Sequence, residues 1–312
     1  MKYLVTGGAG FIGSNLCRRL LSDGHKVLCL DDLSTGQERN ISELIENSNF
    51  DFVNHDITKP FFPEQLDGIF NLASPASPVH YQYNPIRTLK MGTLAMYNVL
   101  GMAIRMNIPL LQTSTSEIYG DPLEHPQTEE YWGNVNPIGP RACYDEGKRV
   151  AEALCMAYKS YNGAKVRIAR IFNTYGPYMD PDDGRVVSNF VVQALKREPL
   201  TVYGDGTQTR SFCFVDDTVE GLIRLFKSDH DGPVNIGSPG EKSMFDLAEI
   251  ICKLTDTKME TTNQILPVDD PKRRCPDISL AKKLLNWEPK VGLEEGIEKT
   301  IGWFEKLLKN GN

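Results

Sequence analysis

Thr6-Gly7-Gly8-Ala9-Gly10-Phe11-Ile12-Gly13 decides the fold of this chain. An apolar run, Lys2 to Thr6, leads into it, and a helical pattern from Ser14 to Ser22 leads out. Gly7 permits a tight turn. Gly10 lets the backbone approach a phosphate, and Gly13 lets helix and strand pack closely. Unpaired N–H groups of Phe11, Ile12 and Gly13 then face an anion at the positive end of the helix dipole. Glycines alone are common in turns. Between a strand and a helix, they point to a dinucleotide. Asp31 ends the next apolar run, 18 residues after Gly13, where a carboxylate accepts both ribose hydroxyls. A 2′-phosphate would be repelled there, so the expected cofactor is NAD. Asp32, Ser34, Thr35, Gly36 and Ile57 follow as further candidate contacts.

Outward from this turn, strands and helices alternate. Strand patterns fall at Lys26–Asp31, 52–54, 68–72, Leu110–Thr115, 166–170 and 234–236, with helical spacing at 85–106 and 144–161 between them. This alternation predicts an α/β fold, a Rossmann-type doubly wound parallel sheet. After Gly176-Pro177 the segments become shorter and turn-rich. We expect a dinucleotide domain over 1–177, with 211–237 returning to it. A smaller, interleaved substrate-binding domain fills 178–312.

With 312 residues, 40% of them hydrophobic, the chain can bury a large core. A net charge of −7 argues against nucleic acid as a partner. No apolar run reaches the roughly 18 residues of a membrane span. The N-terminus enters a strand pattern directly, without a leader-like segment. Seven cysteines, odd in number and never in a CxxC pair, suit free thiols in a reducing cytoplasm. The histidines are dispersed, and no metal site is expected.

Tyr144-Asp145-Glu146-Gly147-Lys148 places a phenol and an ammonium four apart on one helix face. A free tyrosine, with a pKa near 10, is a poor base at neutral pH. A nearby ammonium and an oxidised nicotinamide would favour the phenolate. It could then take a proton from a sugar hydroxyl as hydride leaves the same carbon.

The glycine pattern, the strand end Thr113-Ser114-Thr115-Ser116-Glu117-Ile118-Tyr119-Gly120 and the YxxxK helix together resemble the extended short-chain dehydrogenase/reductase family. The resemblance covers essentially the whole chain. Within that family, residues 71–78, Gly120-Asp121-Pro122, residues 131–141 and residues 183–190 resemble the branch that decarboxylates a nucleotide-linked sugar acid. It implies NAD-dependent conversion of UDP-glucuronate to UDP-xylose and CO2 through a 4-keto intermediate. A homodimer through the 85–106 and Tyr144 helices is also implied.

The resemblance assigns roles to residues. Thr115 would hold the C4 oxygen, Tyr144 would move its proton, and Lys148 would bind the nicotinamide ribose and tune Tyr144. Glu117 would orient the ring or a proton-donating water. Ser116 stands where dehydratases of the family carry an aspartate, the acid that expels a C6 hydroxyl. A sugar acid needs no such acid. Arg274 would bind the carboxylate bidentately. Asn173, Arg185, Tyr203, Gln208 and Arg210 match the nucleotide site, with Arg185 and Arg210 at the diphosphate and Tyr203 at uracil. Lys90 and Asn98 match positions on a helix lining the site. Asp56, Leu72 and Ser74 match contacts to adenosine. Two departures stand out. Lys90-Met91-Gly92-Thr93-Leu94-Ala95-Met96 lacks the family's asparagine and later threonine. Tyr178 in Gly176-Pro177-Tyr178-Met179 replaces an arginine. Two other activities stay open: a nucleotide-sugar 4-epimerase or 4,6-dehydratase, and a silent NAD-binding regulatory protein.

Overall fold

The computed structural model describes residues 1–271 and 273–310. Seven strands make one parallel sheet: β1 (Lys2–Thr6), β2 (Lys26–Asp31), β3 (Phe50–Asn54), β4 (Gly68–Asn71), β5 (Leu110–Thr115), β6 (Val166–Ile171) and β7 (Pro233–Ile236). Their spatial order is β7-β6-β5-β4-β1-β2-β3. Both faces are covered, so the strands read as continuous apolar runs rather than as alternating ones. All six residues of β5 are buried. Successive side chains still serve opposite cores. Leu4, Ile69 and Leu110 pack with Met96, Leu100 and Cys155 on one face. Tyr3, Val5, Phe70 and Leu111 belong to the core on the other face, with Leu16, Leu222 and Phe226.

The first helix is Phe11–Ser22, so it begins inside the glycine turn. The 85–106 segment is interrupted. Helices Pro85–Lys90 and Met96–Met106 flank a π-helical turn over Met91–Ala95. A Cβ at Gly92 would lie 2.1 Å from the Gly147 carbonyl oxygen. The glycine that departs from the family pattern therefore brings this segment's backbone onto the Ala142–Asn162 helix.

After β6 the chain leaves the sheet and builds a smaller lobe. Leu200–Tyr203 pairs in parallel with Thr261–Gln264. Thr209–Ser211 is flanked by Glu241–Ser243 and Arg273–Arg274. Helices Val186–Lys196, Met244–Leu254 and Leu293–Asn310 pack around these strands. Between the two lobe segments β7 returns to the main sheet beside β6. Cys213–Phe214 is a short strand, and Val215 already starts a helix. The strand order reverses at β1, which has β2 on one side and β4 on the other. In sheets of this kind, ligands bind beyond the strand ends at that switch.

Candidate functional site

A cleft of about 450 Å³ runs from the glycine turn to the smaller lobe. Gly7 takes a φ of 68°, and a Cβ there would come within 2.8 Å of the Ala73 backbone. A Cβ on Gly13 would lie 2.0 Å from the Gly7 carbonyl oxygen, so strand end and helix start are in contact. Gly10 caps the helix with extended backbone and no side-chain partner, leaving its amides to a ligand. Asp31 accepts hydrogen bonds from Ala9 N (3.0 Å) and Leu33 N (2.9 Å). Burial raises its pKa despite these bonds. Gly36 lies behind it, where a Cβ would come 2.7 Å from Oδ1. Phe11, Ile12, Asp32, Ser34, Thr35, Ile57, Leu72 and Ser74 all line the cleft. These features fit a dinucleotide. Asp56 lies outside the lining and holds its own turn, accepting from Thr58 N and Oγ1.

The strand end that carries Thr115 meets the Ala142–Asn162 helix at the cleft's middle. Lys148 Nζ donates to the Thr113 carbonyl (2.9 Å) and lies 5.8 Å from the Tyr144 ring centre. Tyr81 stacks on Tyr144 at 4.9 Å, with the rings nearly parallel. Burial dominates the acid–base behaviour of this pair. It pushes Tyr144 upward against the Thr115 hydroxyl, which favours the phenolate. It pulls Lys148 down to about 8. In the chain by itself, desolvation is the largest influence on each of the two groups.

Ser116 opens a short 3₁₀ turn, Ser116–Tyr119, and Glu117 N donates to Thr115 Oγ1 (3.2 Å). The Glu117 carboxylate points at two guanidiniums. Arg274 grips both of its oxygens, and Arg141 takes Oε2 as well. Burial alone would raise Glu117, but Arg274 and Arg141 outweigh it and hold the acid at about 2. Arg141 Nη1 reaches Asp270 Oδ1 (3.3 Å), and Asp270 Oδ2 accepts from Arg210 (2.8 Å). The sequence reading gave no role to Arg141, Asp270 or Tyr81. For Arg141 a local signal existed, since it lies three residues before Tyr144. Asp145 is also drawn in. Burial, and then Glu117, raise its pKa to about 7.

At the far end Asn173, Arg185, Tyr203, Gln208 and Arg210 line the cleft. Arg185 pairs with Asp183, and Gln208 donates to the Tyr203 carbonyl (2.7 Å). Two expected residues are not brought here. Lys90 is exposed on its helix outside the cleft, and Asn98 instead donates to the Ile57 carbonyl (2.8 Å). Tyr178 packs under Arg18, 3.6 Å from ring centre to guanidinium carbon, and against Trp303. The arginine missing from that position is thus followed by an arginine lying on the replacement ring. Far apart in sequence, His125, Glu241 and Cys275 come together, with ligand atoms within 4.8 Å of one another. His125 there bonds Glu241 (2.8 Å), and the Cys275 thiol donates to the Pro239 carbonyl (3.3 Å).

Residues 3–237 match the NAD dependent epimerase/dehydratase family. UDP-glucuronic acid decarboxylase 1 of Xenopus tropicalis is 54% identical over 309 residues, covering 99% of this chain and 73% of that protein. UDP-glucuronic acid decarboxylase 6 of Arabidopsis thaliana is 55% identical, covering 95% of this chain and 87% of that protein. Among solved structures, a Bacillus cereus UDP-glucuronic acid 4-epimerase with UDP-glucuronic acid and NAD superposes with a TM-score of 0.89. It is 28% identical and covers 98% of this chain and all of that one.

Proposed function

This chain belongs to the NAD dependent epimerase/dehydratase family, and from that premise we propose that it decarboxylates UDP-glucuronate to UDP-xylose. One observation carries the reading. The planar fork of Arg274 grips a carboxylate within the cleft that also holds Thr115 and Tyr144. The relatives named as decarboxylases support it, at 52–55% identity.

When bound, NAD would accept hydride from sugar C4 and later return it. Tyr144 takes the C4 hydroxyl proton, and Thr115 fixes the oxygen that becomes the ketone. That ketone stands β to the C6 carboxylate. The C5–C6 bond then breaks with its electron pair delocalised as an enolate, and CO2 leaves. Thr115 and Tyr144 hydrogen-bond the enolate oxygen. Glu117 orients the ring or the water that protonates C5, and Tyr144 returns its proton as C4 is reduced. Arg274 holds the departing carboxylate, Lys148 the nicotinamide ribose. Ser116 is too weak an acid to expel hydroxide, which disfavours a dehydratase. Arg185, Arg210 and Tyr203 hold the UDP half from the smaller lobe, residues 178–312 apart from the returning 211–237.

A cytoplasmic homodimer belongs to the same proposal. No helix among the described residues is long and apolar enough to cross a membrane. Leu89, Leu94 and Tyr97 on the 85–106 segment are exposed, as are Val150 and Met156 on the Tyr144 helix, whereas Met102 packs inward. Such exposed apolar residues suit a second subunit.

A second reading, 4-epimerisation of UDP-glucuronate, is favoured by the fold neighbour solved with that ligand. The test incubates purified protein with UDP-glucuronate and NAD and follows products by NMR and CO2 release. UDP-xylose with stoichiometric CO2 is expected. UDP-galacturonate alone would replace the proposal with epimerisation. NAD binding without turnover would point to a silent module.

A further inference from the structure

The Arg274 fork already holds a carboxylate. Its two terminal nitrogens meet the two oxygens of Glu117; the Arg274 side chain is 3% exposed and that of Glu117 16%. A ligand carboxylate using the same fork must take it from Glu117. A buried carboxylate that loses its only cation is strongly destabilised. Glu117 has a second cation. Arg141 Nη2 also holds Oε2, and its own side chain is only 7% exposed. Arg141 is fixed in turn by Asp270 through Nη1. The Nε atoms of Arg141 and Arg274 are both buried without a partner among the described residues. Arg274 therefore retains a further donor when its fork changes partner, whereas Arg141 keeps both of its carboxylate partners, Glu117 and Asp270.

We propose that Arg141 is a positioning residue that retains Glu117 while Arg274 exchanges Glu117 for the carboxylate of the sugar. Recognition of the acid is then a trade between two arginines. The inference rests on the proposed UDP-glucuronate substrate. It adds that selectivity for the acid depends on a residue that the acid does not touch. A nucleotide sugar with a neutral C6 leaves Glu117 on Arg274, and Glu117 stays paired throughout.

Equilibrium binding to the NAD-loaded enzyme tests this, in a Tyr144→Phe background that stops turnover. The ligands are UDP-glucuronate, UDP-glucose and UDP. Arg141→Gln removes one charge-assisted hydrogen bond from the displaced Glu117. The acid should then bind about 10- to 100-fold more weakly, and the two controls that lack a C6 carboxylate within about twofold of before. Arg141→Lys, which keeps the charge without the fork, should recover part of the loss. Glu117→Gln empties the Arg274 fork, so it should tighten binding of the acid about tenfold or more. In that background, the Arg141→Gln effect should shrink to about twofold, because no charge remains to be retained. This arm does not depend on Arg141→Gln folding well. Equal weakening of all three ligands would make Arg141 a structural residue and overturn the exchange. So would a Glu117→Gln variant that binds the acid no better than its parent. The readout is binding, so it separates the two claims. Acid-selective binding with these variant effects, together with wild-type protein (Tyr144 intact) that releases no CO2 from UDP-glucuronate, overturns the decarboxylase reading and leaves the exchange standing. Wild-type protein that does not prefer UDP-glucuronate to UDP-glucose overturns the exchange whatever the products are.

Discussion

Replacing Gly92 by alanine tests how the catalytic helix is placed. The Cβ would sit 2.1 Å from the Gly147 carbonyl oxygen and 2.8 Å from its Cα. Ordinary van der Waals contact begins at about 3.4 Å, so the two backbones must part by roughly 1.3 Å. Neither partner is the flexible end of a side chain. Both lie in helices, and Gly147 stands one residue before Lys148 and three after Tyr144. Overpacking of this kind costs about 1–3 kcal/mol. A displacement near 1 Å at a catalytic group costs on the order of 100-fold in rate. Gly92→Ala should therefore lower Tm by several degrees and kcat by roughly 100-fold. KM should change little, because Arg210, Tyr203 and Arg274 sit on other elements. Thermal unfolding and initial rates of CO2 release measure both. A variant with wild-type Tm and kcat would show that the two helices do not touch at Gly92, and the reason given for the departure would fall.

Other predictions are simpler. Tyr144→Phe should remove the first oxidation, so no transient NADH absorbance at 340 nm appears on mixing with UDP-glucuronate; wild-type NADH formation would refute its role as base. Lys148 is held near 8, below its ordinary 10.5. Between those pH values the unfolded chain binds more protons, so this lysine's contribution to stability rises with pH there. Urea unfolding at pH 8 and 10 should show the wild type gaining on Lys148→Met; a constant difference would mean that the lysine is not depressed. Leu89→Glu with Leu94→Glu should convert the proposed dimer to monomer by light scattering, since both side chains are exposed; an unchanged dimer mass would place the interface elsewhere. Ser116→Asp should not yield a dehydration product from UDP-glucuronate, because the substrate has no C6 hydroxyl to lose; NMR detection of one would contradict the role given to that position.

What the sequence disclosed divides by range. The glycine turn was legible because its causes are local: Gly7 needs its φ of 68°, and Gly13 needs space beside Gly7. The main strands were legible because burial on both faces leaves continuous apolar runs. Arg273–Arg274 and Glu241–Ser243 are too short to carry a period, yet they help form the smaller lobe that supplies Arg274. Arg141, Glu117 and Asp270 lie far apart in the chain, and no spacing rule joins Arg141 to a partner 129 residues away. Lys90 and Asn98 were assigned by resemblance alone, and neither is in the cleft lining. They sit on either side of the Met91–Ala95 π turn, and an inserted residue rotates the helix face by roughly 100°.

The acid–base pair follows from the same packing that hid the network. Tyr81 stacked on Tyr144 and the Thr113 carbonyl on Lys148 shut water out. Such a pocket favours neutral forms, which is why tyrosine and lysine move in opposite directions, one up and the other down. The buried acids do not ease this. Glu117 and Asp145 both push Tyr144 further up, while Arg185 pulls it down. Two arginines bind Glu117 tightly enough to keep it charged, and that fixed negative charge raises the cost of a phenolate beside it. A ligand carboxylate on Arg274 would add another negative charge nearby. The charge that favours the phenolate must therefore come from a group other than these carboxylates. Proton removal from the sugar is thereby tied to an oxidised, cationic nicotinamide. A reduced one, which lacks that charge, should leave Tyr144 protonated and ready to return its proton at the end of the cycle.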